Sequence, residues 1–450
     1  MTPEFRSSDS TLAAGWAWAV EQASAYVRHG DPVGDWFEAA LPGRNAFCMR
    51  DVAHQSAGAQ ALGLRAEVKT MLRRFAENIA ESRDWCTYWE ITGDNLPAEV
   101  DYTSDADFWY NLPASFDVLA CCWRQYLWTG DADYLNDPVF LNFYDRTVDE
   151  YVRQWDSDGD GLLEHLPQYG RRGIGSYEEG VSGIRIGGDL LAAQFAAYDA
   201  YAQIQALRGK VEAAEHFRAK ADALRAHYER VWWNSAGHNY FSIMQGDGEF
   251  SPGTNFGINT FALYFGIIRD PAKVQHVMDD LIRQFPQTNV ESQSYFPEVA
   301  YAHGYHQPAY EALLHLIDPA LPRREYPEVS YSVIGALVSG LMGIHSRAEA
   351  HAISTLPRLT AATEWASIDH LPVLDSVISV THHAARLTTL RNESGTSLVW
   401  EARFPGDHGV LLVNDAPQPA APVFDGDGRP QAAVEVAAPP RAQVTVAVPS

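Results

Sequence analysis

The chain has 450 residues, with 33 Lys and Arg against 58 Asp and Glu and a net charge of −25. That balance excludes a nucleic-acid-binding surface, whose phosphate partner needs basic residues, and argues against anionic membranes. At 46% hydrophobic and 20% charged residues, the chain fits a soluble globular protein with one large domain and a smaller one.

Helical periodicity dominates residues 10–345 and predicts twelve helices. They run over 11–28, 48–63, 65–82, 112–129, 137–155, 187–208, 210–231, 256–267, 271–284, 296–304, 306–317 and 329–343. Linkers after even-numbered helices are short, such as "GLR" at 63–65. Linkers before them are long and rich in Trp, Tyr, Asp, Glu and Gly, at 29–47, 83–111, 156–186, 232–255, 285–295 and 318–328. Six hairpins closed into a ring would put even helices inside and odd helices outside. All long loops would then emerge at one end, which is an (α/α)6 barrel with a single loop-built cleft. Long loops in a compact domain usually carry function. From about 370, alternating stretches such as "VISVTHHAARLTTLRN" and "TSLVWEARF" predict a small antiparallel β-sandwich. The expected domains are 1–353 and 374–450, joined by a linker over 354–373.

The first long loop ends in "FCMRDVAHQSAGAQALGL" and sets Arg50 and Asp51 at the start of an inner helix. Asp51 serves there as a cap, or the two hydrogen-bond sugar hydroxyls. His54 lies one turn on and points the same way. The second loop holds Trp85, Trp89, Glu90, Asp101, Trp109 and Tyr110. Rings beside acids suit a sugar subsite, because apolar sugar faces stack on rings; they also suit a loop folded over its own aromatic core.

The third loop opens as D-x-D-x-D-G at Asp156–Asp160, but its twelfth position is Pro167 rather than the Glu a calcium loop requires. It is assigned to turn-making, and no metal or organic cofactor is expected. Farther along stand Glu164, Arg171, Arg172, the pair Glu178 and Glu179 in "GSYEEGVSG", and Arg185. The fifth loop supplies Glu291 and Glu298. The sixth supplies Glu328 behind Pro327, where the acid serves the helix dipole or chemistry. In a ring of six, the third and sixth loops face each other. Glycoside hydrolysis needs opposed carboxyl groups, about 6.5–9.5 Å apart for inversion and about 5–5.5 Å for retention.

The sequence resembles the six-hairpin glycosidases, nearest in pattern to the glucoamylase family and its α-L-rhamnosidase and trehalase relatives. "MRDVAHQSAGAQALGL" resembles their substrate-binding Arg-Asp segment, "YEEGVSG" the acid loop, and "PEVSYSVIGAL" the segment carrying the general base. The resemblance implies Glu178 as acid with Glu179 as its partner or substitute, Glu328 as base, and Arg50 and Asp51 as binders. Tyr177 stands where the family has tryptophan, and the β-domain follows the helices as in the rhamnosidase-like branch.

The reading is an exo-acting, inverting glycoside hydrolase acting on a glycan or glycoside. Glu178, Glu179 and Glu328 are the catalytic candidates, and Glu164 the next acid. Arg50, Asp51, Trp89, Glu90, Trp109, Tyr110 and Arg185 are the substrate-binding candidates. Two other classes remain open: a sugar epimerase or polysaccharide lyase using His54, His165, His303 or His306, and a non-catalytic carbohydrate-binding protein. Cys48, Cys86, Cys121 and Cys122 form no C-x-x-C pair and read as reduced, buried thiols. With no basic leader or long apolar run, the chain reads as cytoplasmic, with no nucleic-acid or membrane partner and an undecided oligomeric state.

Overall fold

The computed structural model describes residues 2–449. Among these residues, twelve helices of nine residues or more alternate between two layers. They are α1 (Ser10–Ala25), α2 (Met49–Ala61), α3 (Arg65–Glu77), α4 (Pro113–Thr129), α5 (Pro138–Val148) and α6 (Gly188–Leu207). The second half is α7 (Val211–His227), α8 (Phe256–Tyr264), α9 (Pro271–Gln284), α10 (Val290–Ala302), α11 (His306–Ile317) and α12 (Pro327–Gly335). Starts are set by local chemistry. Asp9, Asn255, Asp270 and Asn289 accept backbone N–H groups as caps of α1, α8, α9 and α10. Proline occupies the first turn of α4, α5, α9 and α12, where its missing N–H costs nothing.

Even-numbered helices pack each against the next, α2 on α4, α4 on α6, and so on to α12 on α2, closing a cycle. Odd-numbered helices cover them: α7 lies on α6, α9 on α8, and α11 on α10. Burial separates the layers. Nearly every residue of α6 from Gly188 to Ile204 is buried, whereas α7 buries only Ala214, Ala221 and Leu224. One contact fixes the geometry of the site. A Cβ on Gly58 of α2 would overlap the carbonyl oxygen of Tyr331 in α12, so only glycine lets these two backbones meet.

The β-region packs two sheets. One follows the spatial order Glu4–Ser7, Trp365–Val373, Ser376–His383, Leu387–Asn392, Gln443–Ala447, Val410–Val413 and Ala416–Pro419. The other runs His345–Arg347, Ala352–Thr355, Leu398–Pro405, Pro430–Ala438 and Ala421–Phe424. Pairing is antiparallel except between Ala352–Thr355 and Leu398–Pro405, which run parallel. The stretch 354–373, expected as a linker, contains the whole strand Trp365–Val373. Pro372 argues against a strand in sequence, yet Glu4–Ser7 pairs only with residues 366–369, so the proline lies beyond that ladder and costs it no bond. The N-terminal strand itself leaves no periodic signal over four residues.

One apolar core runs from Phe5 and Leu12 through the ring to Val446 and Val448 in the sheets. Trp128 at the end of α4 donates its indole N–H to the Pro372 carbonyl at 3.1 Å, tying ring to sandwich. Among the described residues, no helix is long and apolar enough to cross a membrane.

Candidate active site

The N-terminal ends of α2, α10 and α12 and the loops before α4 and α6 meet at one end of the ring. Two adjoining cavities open there, of about 270 and about 360 Å3, and both are lined by Arg50, Glu179 and Glu291. The strand Ala46–Cys48 pairs with Glu90–Thr92, Cys48 opposite Glu90, so the first two long loops reach the cleft together.

Glu328 stands in the first turn of α12 and is 1% exposed; Asp51, in the first turn of α2, is 6% exposed. Helices α2 and α12 meet at Gly58, and the two carboxyl groups lie close enough for each to act on the other's protonation. Burial followed by the Glu328 charge pushes Asp51 far above the carboxylate range. Burial raises both carboxyl groups, and the Arg50 guanidinium opposes the rise in each. Asp51 Oδ1 and both Glu328 oxygens lack a hydrogen-bond partner. Beneath them His54 stacks on Tyr295, ring centroids 3.5 Å apart, with Nδ1 4.0 Å from Glu328. Burial lowers the His54 pKa to about 4, so the ring is neutral.

Arg50 spans the cleft. Its Nε lies 3.5 Å from Asp51 Oδ1 and its Nη1 3.9 Å from Glu179 Oε1. The Glu179 side chain is 45% exposed, because it faces the cavity lumen. Protein nevertheless surrounds it closely enough that desolvation raises its pKa; Asp51, Asp101 and Glu178 add to the rise and Arg50 opposes it. Glu178 is used up locally. Its Oε1 accepts from Gly180 N and its Oε2 from Asn255 Nδ2, each at 2.7 Å. The loop is pinned from below by Asp189, which accepts from Tyr177 N at 2.6 Å and Ser176 Oγ at 2.9 Å, and by Asp117, which accepts from Tyr177 OH at 3.2 Å. Tyr177 is thus a buried strut whose hydroxyl needs an acidic partner, a role tryptophan's N–H would place elsewhere.

The second cavity is walled by Trp89, Glu90, Asp101 and Trp109. Arg44 donates to Glu90 at 2.7 Å and lies 4.0 Å from Asp101. Burial and a carboxyl–carboxyl hydrogen bond to Glu90 raise Asp101 to about 7.

Some candidates stand elsewhere. Tyr110 is fully buried, its hydroxyl 2.7 Å from Ser115 Oγ, and lines neither cavity. Arg185 lines neither cavity; it pairs with Glu164 and lies 3.4 Å from Asp158. Asp156, Asp158 and Glu164 are close enough together to hold a metal ion, but this guanidinium already supplies their positive charge. Glu164 accepts from Ser157 and Arg185. Glu298 lies toward the other end of α10 and lines a separate cavity. His165 and His303 bond to the Gly173 carbonyl and Asp427, each at 3.0 Å, away from the cleft. Asp117 and Asn255 escaped sequence reasoning because they reach this loop from 60 and 77 residues away, and Asp189, at the start of the next helix, because its contact is made only by folding back. Glu291, expected in a loop, stands in the first turn of α10. The helix expected over 296–304 starts at Val290, because the Asn289 side chain accepts from Ser292 N at 2.8 Å and caps it well before Pro297.

No protein-family model and no curated protein matches the sequence. Solved structures do. An α-L-rhamnosidase from Dictyoglumus thermophilum superposes with a TM-score of 0.61 at 13% identity, covering 99% of this chain and 50% of that one. A putative kojibiose phosphorylase from the human microbiome gives 0.62 at 7% identity, covering 97% and 63%. An α-L-rhamnosidase from Aspergillus terreus gives 0.59 at 13% identity, covering 97% and 50%. This chain spans about half the length of the rhamnosidases it matches. It has the six-hairpin glycosidase-like fold that these proteins share.

Proposed function

We propose that this protein is an exo-acting glycoside hydrolase built on an (α/α)6 barrel, cleaving a terminal sugar with inversion. Glu179 is the general acid: its raised pKa retains the proton that the glycosidic oxygen needs, and it faces both cavities. Glu328 is the general base, with the charge of Arg50 opposing the rise that burial imposes on it. The observation that carries the reading is Arg50 set between Asp51 at 3.5 Å and Glu179 at 3.9 Å, with Glu328, which lines neither cavity, buried beside Asp51. A guanidinium between the two carboxyl groups favours the wider spacing of an inverting site, with room for water, over the closer pair of a retaining one.

Arg50 and Asp51 hold hydroxyls of the terminal sugar, while Trp89, Trp109 and Glu90 form the wall of the second cavity, where the rings offer stacking faces. Cavities floored by the ring suit a chain end rather than a polymer's middle. The rhamnosidases and the kojibiose phosphorylase that share the fold support chemistry at a glycosidic bond. Epimerase or lyase chemistry through histidine draws less support: the His54 ring is held against Tyr295, 3.5 Å between centroids, and His165 and His303 lie away from the cleft.

The test is a screen of nitrophenyl glycosides and oligosaccharides read by mass spectrometry. Hydrolysis adds one water to the products. A lyase would leave an unsaturated product, an epimerase would change no mass, dependence on phosphate would mean phosphorolysis, and a binding protein would release nothing.

A further inference from the structure

At the opposite end of the ring a second cleft lies between the helices and the β-sandwich. Helix α10 connects the two ends: Glu291 lines the front cleft and Glu298 the rear one, roughly 10 Å farther along the axis at 1.5 Å per residue. The rear cavity is about 350 Å3, within the size range of small-molecule sites, and a smaller one of about 80 Å3 adjoins it.

Several of its polar atoms lack a partner. Arg358 donates Nη1 to the carbonyls of Ser339 and Gly340, at 3.0 and 2.8 Å, capping the last turn after α12. Among the described residues it has no carboxylate within 4.0 Å, and burial draws its pKa down to about 10. Glu298 likewise has no ion-pair partner among the described residues. Gln431 is 7% exposed with its Oε1 unpaired, and Arg403 Nε is unpaired as well. Buried polar atoms without partners call for water or a ligand. At the mouth stands Phe424, 63% exposed, the most exposed of the large apolar side chains.

Charge narrows the ligand. An anion would meet Glu298 and Asp425, and a cation would meet Arg358, since Arg403 pairs with Glu401 at 2.8 Å. A neutral polyol meets neither objection. Guanidinium, carboxylate and amide groups pair with vicinal hydroxyls through two parallel hydrogen bonds, and a ring face accepts the apolar side of a pyranose.

We propose that this rear cleft is a non-catalytic saccharide-binding site, with Arg358, Glu298 and Gln431 holding hydroxyls and Phe424 as the stacking platform. The site does not depend on the hydrolase reading, because its measurement is binding rather than turnover. The experiment is saturation-transfer NMR and calorimetry on the full chain with D-glucose, D-galactose and L-rhamnose, in an Arg50→Met background that removes the central cation of the front cleft. At least one sugar should bind. Phe424→Ala, which changes only an exposed ring, and Arg358→Met should each weaken that binding by about tenfold or more, with Phe424→Ala leaving the melting temperature unchanged. Affinity within about twofold of the parent in Phe424→Ala overturns the proposal. So does saturation by none of the three sugars, or binding of inorganic phosphate alone.

Discussion

Replacing Glu179 and Glu178 one at a time by glutamine separates two adjacent carboxylates with different surroundings. Both oxygens of Glu178 already accept hydrogen bonds, from Gly180 N and Asn255 Nδ2, each at 2.7 Å. Glutamine keeps one acceptor and loses one charge-assisted bond, worth about 1.5–3 kcal/mol to loop order, or roughly 10- to 160-fold in kcat if the loss reaches the transition state, so the leaving-group dependence rather than the size of the loss separates the two residues. Glu179 makes no such bonds; it faces Arg50 across 3.9 Å, and desolvation raises its pKa. Its loss removes general acid catalysis, about 10²–10⁴-fold, or about 3–5.5 kcal/mol of barrier. The assay compares kcat on an alkyl glycoside and on a nitrophenyl glycoside of the same sugar. Glu179→Gln should lose the full factor on the alkyl substrate and recover most of it on nitrophenol, which departs without protonation. Glu178→Gln should lose the same factor on both. Leaving-group rescue in Glu178→Gln and none in Glu179→Gln would refute the assignment.

The pH dependence of kcat/KM should be bell-shaped and displaced above the usual carboxylate range. Its acid limb follows protonation of Glu328 and its alkaline limb ionisation of Glu179, both raised by burial; an alkaline limb surviving in Glu179→Gln would refute the acid. Asp101, raised to about 7 from 3.8, retains a proton on folding that the unfolded chain releases. Its contribution to stability is therefore full below about pH 4 and lost as pH rises through about 7. Asp101→Asn removes that loss, so its melting temperature relative to the parent should rise between pH 5 and pH 8; a flat difference would contradict the Glu90–Asp101 pair. Gly58→Ala should destabilise the protein by about 1–3 kcal/mol in urea melts, because the new methyl overlaps the Tyr331 carbonyl. It should also lower kcat by moving Glu328 off Asp51, and an unchanged melt would remove the backbone contact from the account.

The helical part of the fold was legible because alternating short and long linkers record which end of a hairpin each loop occupies. Helix starts were less so: the helix expected over 296–304 starts at Val290, capped by Asn289. The strand Trp365–Val373 hid behind Pro372, whose tolerance depends on a neighbouring strand ending early. Arg50, Asp51, Glu179 and Glu328 fall in or beside one cleft, as their loop positions suggest. Sequence could not tell that Asp51 and Glu328 act on each other's protonation, because that follows from a backbone approach at Gly58, or that Arg185 spends its charge on Glu164 and Asp158. Nor could it separate Glu178 from Glu179, since the difference is the Asn255 amide arriving from α8's cap.

The most direct measurement is kcat of Glu328→Gln on a glycoside that the parent protein cleaves, with the melting temperature recorded alongside. A water-activating base at the start of α12 predicts a fall of about 10²–10⁴-fold at an unchanged melt. Turnover within about threefold of the parent would contradict it.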